Sequence, residues 1–355
     1  MGRIETSDMP AAVSAPSDFR GKRIVVTGGA GTVGGELVRQ LLARHEPEVV
    51  RILDHSEARL AAAERQLRRH SARVRFLLGD VRDRARLDRA FEGVDVVLHT
   101  AAVKHVPLCE YSPFEAVRTN LLGMQNVIEA ALAADVERVV FTSTDKAVSP
   151  VSVMGASKLL AEKLLQAADR FRGGHRTLFS STRFGNVLDS RGSVVQVFRD
   201  QIARGGPLTI THPDMTRYLM SLSDAANLVL SAARIAVGGE VLVLKMPVVR
   251  IADLARVMIG ELAPHFGHSP EYIMVNEIGL RPGERLFEEL MLPNEAATCT
   301  ELSDFYVLRP TRGLQVPPDG PPGVSRRPDG TGRSDREPAL SPENVALLLH
   351  RAGVF

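Results

Sequence analysis

Cysteine is scarce in this chain of 355 residues, and the two that occur, Cys109 and Cys299, stand far apart. Neither belongs to a cysteine and histidine pattern typical of a zinc site. The scarcity argues against a disulfide framework and fits the reducing cytoplasm. We therefore expect a cytoplasmic protein without a bound metal.

Long apolar runs and an excess of one charge are also missing. No uncharged stretch approaches the roughly 20 apolar residues that a membrane helix needs. Residues 1–20 contain prolines and acids but no apolar run, so we interpret them as a flexible N-terminal tail rather than a signal peptide. The net charge of +2 is too small to indicate nucleic acid or an acidic membrane as the partner. The composition predicts a protein without membrane insertion, with a small-molecule partner.

A glycine-rich turn follows the first apolar run. Residues 22–27 have the pattern of a β-strand, and apolar residues at helical spacing begin at Leu37. Glycines between a strand and a helix bring backbone N–H groups close to a pyrophosphate at the positive end of the helix. The residues that we predict to bind a dinucleotide there are Gly28, Gly31, Thr32, Val33 and Gly34.

Asp54 ends a second apolar strand, about twenty residues after the last of these glycines. A carboxylate at this place accepts hydrogen bonds from the adenosine ribose and repels a 2′-phosphate, which favours NAD. Arg59 and His55 stand near it, so NADP stays open as an alternative. The plainer interpretation of Asp54 is a solvated acid after a strand.

Two further strands, residues 74–78 and 94–99, continue the alternation of strands and helices. This alternation of buried apolar strands predicts an α/β fold with a doubly wound parallel sheet. We predict Asp80 to hydrogen-bond the adenine amino group, and small residues after the fourth strand to let the chain pass beneath a dinucleotide. The predicted cofactor-binding set is completed by Val81, Ala101, Ala102, Lys104 and Asn120.

The densest group of proton-handling side chains, Ser143-Thr144-Asp145-Lys146, stands at the end of a fifth strand. Ligands of doubly wound sheets bind beyond the carboxyl ends of the strands, so this group faces the cofactor crevice. On the following helix, Met154 and Lys158 are four residues apart and share a face. None of the four tyrosines of the chain precedes a lysine at this spacing.

Without a tyrosine, the proton chemistry falls to Asp145 and Lys146. Asp145 is expected to be anionic, and Lys146 can be neutral if it is desolvated beside a second cation, Lys158. Two groups pushed toward different protonation states can serve as acid and base together, which an elimination of water beside a ketone requires. The plainer alternatives are an exposed turn for Asp145 and Lys146 and core packing for Met154.

The second half of the chain interrupts the strict alternation, which predicts a smaller lobe. We expect residues 21–190 to form mainly the NAD(P)-binding domain and residues 191–309 mainly the substrate lobe, including a helix that begins near Leu286. Residues 310–342 are rich in proline, glycine and arginine, and we predict disorder there. Residues 343–355 are predicted to contain a short last helix.

Several motifs together resemble the UDP-N-acetylglucosamine 4,6-dehydratases of polysaccharide biosynthesis, members of the extended short-chain dehydrogenase/reductase superfamily. The similarity runs from about residue 22 to about residue 292. The motifs are Thr27-Gly28-Gly29-Ala30-Gly31, Ala101-Ala102-Val103-Lys104-His105, Ser143-Thr144-Asp145-Lys146-Ala147, Met154-Gly155-Ala156-Ser157-Lys158, Arg183-Phe184-Gly185-Asn186, Arg191-Gly192-Ser193, Met215-Thr216-Arg217-Tyr218 and Arg281-Pro282-Gly283-Glu284.

The resemblance implies a doubly wound parallel Rossmann sheet with a smaller C-terminal substrate lobe, and a tightly held NAD(P). It implies hydride removal from sugar C4, loss of water across C5 and C6, and hydride return to C6. Asp145 would be the acid for water loss, Lys146 the C5 base and Lys158 the anchor of the nicotinamide ribose, with Ser143 and Met154 completing a Ser-Met-Lys variant of the usual triad. The residues that would hold the UDP-sugar are Lys104, Asn186, Arg191, Ser193, Arg217, Arg281 and Glu284.

Two other functions stay open on the sequence. One is a nucleotide-sugar epimerase, at C5 or C4, which uses the same cofactor without net loss of water. The other is a non-catalytic NAD(P)-binding sensor. Many Met-type relatives carry a membrane-spanning N-terminal region, so its absence implies a free-standing soluble enzyme. The resemblance also implies a homo-oligomer that associates near residues 114–133 and 153–171.

Overall fold

The computed structural model describes residues 19–188, 190, 192–296, 299–309 and 332–355. The strands are β1 (Arg23–Thr27), β2 (Val49–Asp54), β3 (Val74–Leu78), β4 (Val96–His99), β5 (Arg138–Thr142), β6 (Leu178–Arg183), β7 (Asn186–Val187), β8 (Leu208–Ile210), β9 (Thr216–Met220), β10 (Val241–Leu244), β11 (Val248–Arg250), β12 (Val275–Glu277), β13 (Thr300–Glu301) and β14 (Phe305–Leu308). The helices are α1 (Thr32–Arg44), α2 (Glu57–Gln66), α3 (Arg84–Phe91), α4 (Val106–Tyr111), α5 (Pro113–Ala116), α6 (Gly123–Ala133), α7 (Val153–Phe171), α8 (Val194–Ala203), α9 (Leu222–Ile235), α10 (Ile251–Leu262), α11 (Pro293–Ala296) and α12 (Pro342–Arg351).

Within these described residues, nine strands form one sheet in the order β13-β14-β10-β6-β5-β4-β1-β2-β3. The seven strands from β10 to β3 are parallel, and β14 runs antiparallel to β10. The chain winds outward from β1 in one direction and from β4 in the other. This is the doubly wound Rossmann topology, so the predicted fold class is confirmed.

Both faces of the sheet are buried. In β1, Ile24 and Val26 pack into one apolar cluster with α1 and α9, whereas Val25 packs on the opposite face with α3, α6 and α7. Successive side chains of a strand point to opposite faces, so a continuous apolar run suits a sheet covered on both sides. The helices thereby fix the carboxyl ends of the strands, where the site lies.

A smaller lobe lies beyond the carboxyl ends of the parallel strands. It contains a three-stranded sheet in the order β11-β9-β7 and a two-stranded sheet of β12 and β8. Its core is an apolar cluster in which Leu254 and Met258 of α10 are buried together with Leu349 of α12. Because α12 supplies part of this core, residues 342–351 are packed into the smaller lobe.

Several sequence predictions differ from this structure. The elements α9, β10, β13 and β14 lie in the range assigned mainly to the smaller lobe, but they build the large sheet and cover it. Apolar spacing alone does not tell which sheet a helix will cover. The helix predicted near Leu286 is absent, and residues 286–290 are irregular apart from a bridge at Glu289.

The predictions for the tails are also partly wrong. Most of the predicted N-terminal tail, residues 1–18, lies outside the described residues, but Phe19 is buried against His45. Residues 310–331 of the predicted disordered segment likewise lie outside them. The prediction of disorder is wrong for residues 332–342. Ser334 is fully buried and its hydroxyl accepts a hydrogen bond from the backbone N–H of Glu288 at 3.0 Å, and Pro342 begins α12. Among the described residues, no helix has the length and apolar character needed to cross a membrane.

Candidate active site

The glycine turn after β1 is shaped so that side chains do not fit. Gly28 has a φ of +66°, and a Cβ there would lie 2.8 Å from the backbone nitrogen of Ala101. A Cβ on Gly34 would lie 2.8 Å from the Cα of Gly29. Gly31 is the N-cap residue of α1 and has no side chain to cap the helix, so the first N–H groups of α1 stay available to a phosphate. The turn fits the pyrophosphate of a dinucleotide.

Asp54 lies at the end of β2, beside the glycine turn. It is 4% exposed, and its carboxylate accepts hydrogen bonds from the backbone N–H groups of Ala30 at 3.3 Å and Ser56 at 3.0 Å. The structure therefore places Asp54 in a held position rather than as a freely solvated acid. His55 and Arg59 line the same end of the cavity. The carboxylate that favours NAD and the two basic side chains that leave NADP open therefore lie close together.

Asp80 lies at the next strand end and is paired with Arg82. The two side chains approach to 2.6 Å. Burial raises the pKa of Asp80, but the hydrogen bonds and charge of Arg82 outweigh it, so the pKa lies below its usual value. Asp80 is thus an ion-paired carboxylate, and its contact with an adenine amino group stays a prediction.

One cavity of about 980 Å³ runs from the glycine turn to the segment after β12. It passes the carboxyl ends of β1, β4 and β5, as expected for a doubly wound sheet. The predicted site residues in its wall are Gly28, Gly31, Thr32, Val33, Gly34, Asp54, Asp80, Val81, Ala101, Ala102, Lys104, Ser143, Thr144, Lys146, Met154, Lys158, Asn186, Ser193, Arg217, Arg281 and Glu284. The fold therefore brings most of the predicted residues to one surface.

Two predicted residues lie behind this wall, and a third is outside the described residues. Asn120 accepts a hydrogen bond from the N–H of Val103 at 2.9 Å and donates to the hydroxyl of Ser157 at 2.9 Å. Its amide holds the loop after β4, and its contact with the cofactor stays a prediction. Asp145 is also enclosed, with a side-chain exposure of 0%. Arg191 is outside the described part of the chain.

The residues after β5 form a compact polar group. Thr144 Oγ1 donates to Asp145 Oδ1 at 2.9 Å, and Lys146 Nζ approaches the same oxygen at 3.0 Å. The other carboxylate oxygen of Asp145 and the hydroxyl of Ser143 are buried without a hydrogen-bond partner among the described residues. Buried polar atoms are normally paired, so unpaired ones beside a cavity indicate a place for a ligand.

The charge environment of Lys146 differs from the prediction. Its ammonium lies 3.0 Å from Asp145 Oδ1, 2.9 Å from Asn186 Oδ1 and 3.4 Å from Glu288 Oε1. Burial lowers the pKa of Lys146, but the carboxylates of Asp145 and Glu288 outweigh it, so the pKa lies above its ordinary value. The condition under which Lys146 was predicted to be neutral, desolvation beside Lys158, does not prevail in this structure, because two carboxylates surround its ammonium.

Lys158 is the lysine with the lowered pKa. Its ammonium donates to the carbonyl of Thr142 at 2.9 Å and lies 4.5 Å from the ring centre of Phe141. Burial lowers the pKa of Lys158 to about 8, although Glu162 opposes the shift. Met154, one turn earlier on α7, is 4% exposed and packs against Cys109, so it both lines the cavity and fills the core.

Glu288 is a site residue that the sequence did not indicate. It is 3% exposed, it lines the cavity, and one oxygen faces both Lys146 and Arg217. Nothing in the sequence distinguishes it from the neighbouring Glu289. Only the irregular chain path after Glu284 turns Glu288 inward.

Arg217 was predicted to help hold the UDP-sugar, and in this structure its donors are directed at backbone carbonyls of the protein. Its guanidinium donates to the carbonyl oxygens of Thr216 and Arg285, both at 2.7 Å, and of Leu286 at 3.3 Å. The segment around residue 286 is not helical, so its carbonyls need these partners. Arg217 therefore holds this segment in place and lines the cavity.

Other polar residues remain placed for a substrate. Ser193 Oγ is buried without a hydrogen-bond partner among the described residues, at the N-terminus of α8, where phosphate is favoured. The carboxylate of Glu284 accepts a hydrogen bond from the backbone N–H of Arg281 at 3.1 Å, which shapes the rim. Lys104 reaches Ser190 Oγ at 3.4 Å across the cavity mouth.

A doubly wound sheet, a glycine cradle and a long cavity with acid and base groups define the class of dinucleotide-dependent α/β enzymes. Within this class, the chain belongs to the polysaccharide biosynthesis protein family, whose model matches residues 24–310. The resemblance seen in the sequence is thereby confirmed.

Individual relatives give the family more detail. A protein of Methanocaldococcus jannaschii, described as an uncharacterized membrane protein, is 53% identical over 82% of this chain and 87% of its own. A UDP-N-acetylglucosamine 4,6-dehydratase (inverting) of Campylobacter jejuni is 40% identical over 82% of this chain and 84% of its own. A UDP-glucose 4-epimerase of Rickettsia canadensis is 40% identical over 85% of this chain and 84% of its own.

A solved structure, Pen from Bacillus thuringiensis, superposes with a TM-score of 0.88 at 40% identity and covers 95% of this chain and 99% of its own. The relatives named above place the family among nucleotide-sugar dehydratases and epimerases.

Proposed function

We propose that this protein is an NAD(P)-dependent nucleotide-sugar 4,6-dehydratase, with UDP-N-acetylglucosamine as the first substrate to test. The observation that carries the proposal is the pairing of Asp145 with Lys146 at 3.0 Å at the carboxyl end of β5. An epimerase that acts at C4 needs to move a hydride and one hydroxyl proton, and one that acts at C5 also needs a base for a carbon-bound proton. Loss of water also needs a base for a carbon-bound proton and an acid for the departing hydroxyl.

The proposed roles follow from the geometry. NAD(P)⁺, when bound along the glycine turn, supplies removal of a hydride from sugar C4 and its return to C6. Lys146 Nζ faces the cavity and removes the C5 proton. Asp145 then takes up, from Lys146 at 3.0 Å, the proton that came from C5 and is the acid for the departing hydroxyl. Thr144, which lines the cavity and contacts Asp145 at 2.9 Å, passes this proton on, so that the hydroxyl leaves as water. Lys158 anchors the nicotinamide ribose from the floor of the site.

The Campylobacter jejuni relative that is named as a dehydratase supports this function. The cavity of about 980 Å³ also supports it, because it continues beyond the glycine turn and leaves room for a substrate next to a dinucleotide. A nucleotide-sugar epimerase is the second candidate, favoured by the Rickettsia canadensis relative of that name. The two reactions share a cofactor and the oxidation at C4, but they differ in whether water is lost.

Incubation of the purified protein with UDP-N-acetylglucosamine, followed by mass spectrometry, tests the proposal. We expect a product lighter by one water, abolished by Lys146→Met and retained by the control Lys163→Met, which removes an exposed lysine of α7. Asp145→Asn is expected to allow reduction of the cofactor, seen by its absorbance, without loss of water. An unchanged mass with inverted configuration at C4 or C5 would instead establish the epimerase.

A further inference from the structure

Lys146 is surrounded by as many acceptors as it has donors. A lysine ammonium has three N–H donors and no lone pair. Its nitrogen lies 3.0 Å from Asp145, 2.9 Å from Asn186 and 3.4 Å from Glu288. A group that removes a proton from carbon needs a lone pair on that nitrogen. Lys146 therefore has to transfer one proton to a neighbour before it can act as a base.

Glu288 is the neighbour best suited to receive this proton. The amide oxygen of Asn186 does not hold a proton near neutral pH. The Asp145 oxygen that faces Lys146 already accepts a hydrogen bond from Thr144 at 2.9 Å. Glu288 is 3% exposed, and burial raises the pKa of its carboxyl above the usual value in spite of the cations nearby. Protonation of Glu288 removes the cost of a buried charge.

The charged groups around the pair are balanced. Lys146 faces the carboxylates of Asp145 and Glu288, and the guanidinium of Arg217 lies 3.5 Å from the same Glu288 oxygen. Two anions and two cations thus lie together. Movement of a proton from Lys146 to Glu288 leaves the net charge of this group unchanged.

We propose that Glu288 is a positioning residue that takes a proton from Lys146 Nζ, so that Lys146 enters the reaction as a neutral amine. One N–H bond of Lys146 breaks, one O–H bond of Glu288 forms, and no proton leaves the pair. The inference rests on the proposed function, in which Lys146 acts as the base at C5.

A transfer within a pair has a characteristic pH dependence. While Lys146 and Glu288 share one proton, the fraction of neutral Lys146 is independent of pH. Without the carboxylate, the amine forms only by loss of a proton to solvent, and its fraction rises about tenfold for each pH unit below its pKa. If Glu288 served only to stabilise the fold, its replacement would lower activity without changing how the neutral fraction of Lys146 depends on pH.

The test measures the reactivity of Lys146 directly. The full chain with NAD is treated with a trace of an acylating reagent from about pH 6 to about pH 9, and mass spectrometry gives the labelling ratio of Lys146, which is the labelled over the unlabelled form of its peptide. The same ratio for the exposed Lys163 should rise about tenfold for each pH unit and serves to check the reagent. The variants are Glu288→Gln and the control Glu240→Gln. Glu240 is also 4% exposed with a pKa raised by burial, but it accepts from the backbone of residues 237 and 238, outside the cavity wall.

We expect the labelling ratio to be flat in the wild type and in Glu240→Gln, and to rise about tenfold per pH unit in Glu288→Gln. The rate of water loss should show the same contrast. A flat ratio in Glu288→Gln, an equally steep ratio in the wild type, or a wild-type Lys146 that is never labelled overturns the proposal.

Two further results separate this inference from the proposed function. If Glu288→Gln unfolds, Glu288→Asp keeps the carboxylate and should restore the flat profile; a steep profile in that variant also overturns the proposal. If the wild type removes no water from any sugar but shows the labelling contrast, the proton transfer stands and the proposed reaction fails.

Discussion

Gly155→Ala should disable the site while changing one hydrogen for a methyl group. Gly155 lies in the first turn of α7, under the turn that carries Asp145 and Lys146. A Cβ there would overlap the carbonyl oxygen of Lys146 and lie 3.2 Å from its carbonyl carbon and 3.1 Å from Pro150 Cβ. The atoms in the way are mostly backbone, so the turn itself has to move.

The magnitude follows from the size of that movement. Relief of the overlap needs a shift of about 1 Å, and a displacement of this size at a catalytic group costs roughly 10²-fold in rate. Overpacking costs about 1–3 kcal/mol in stability. The better helix propensity of alanine offsets up to about 1 kcal/mol of this. We therefore expect a folded variant with a moderate loss of stability and a large loss of turnover.

Gly260→Ala is the matched control. Gly260 also lies inside a helix, α10, and a Cβ there would have no atom within 4 Å. The same substitution should stabilise this helix by about 1 kcal/mol and leave turnover unchanged. Urea denaturation gives the stabilities, and mass spectrometry of the sugar product gives the rates. Wild-type turnover in Gly155→Ala would refute the reasoning, since the turn would then tolerate the methyl group.

Three other perturbations test separate parts of the molecule. Because burial lowers the pKa of Lys158 from 10.5 to about 8, the unfolded chain binds more protons than the folded one between these values, so the free energy of unfolding should rise with pH there. Lys158→Met should remove this rise in urea denaturation, and an unchanged slope would contradict the burial of the charge. Asp54→Asn should increase the affinity for NADP relative to NAD about tenfold by titration calorimetry, because it removes the charge that repels a 2′-phosphate; an unchanged ratio would show that Asp54 does not select the cofactor. Phe114, which is 78% exposed beside Tyr111, should lie in a subunit contact, so Phe114→Glu should lower the mass in sedimentation, whereas Val237→Glu, at a residue 69% exposed outside the ranges 114–133 and 153–171, should not. A wild-type monomer would reject that expectation.

Local patterns were sufficient for much of this protein. A unit of strand, turn and helix explains the spacing along the chain between the β-branched runs, the glycine turn and Asp54. The sheet and the end of it that binds the cofactor were therefore predictable. The cluster from Ser143 to Lys158 was predictable for the same reason, because parallel strands bring their carboxyl ends to one edge.

The electrostatic state of that cluster was not predictable. The sequence suggested that Lys158 could make Lys146 neutral, but Lys146 is held between the carboxylates of Asp145 and Glu288. Which charges meet depends on an irregular segment more than 130 residues farther along the chain, where Glu288 turns inward and Arg217 binds the backbone. The spacing of apolar residues carries no information on the path of an irregular segment.

The sequence by itself determined the doubly wound sheet, the position of the glycine cradle and the choice of candidate proton-handling residues, since each depends on neighbours close in the chain. Only the tertiary structure decided that Asp145 is enclosed behind Thr144, that Asn120 supports a loop, and that Glu288 completes the site. These facts depend on burial and on contacts between distant segments, which exist only once the lobes are packed together.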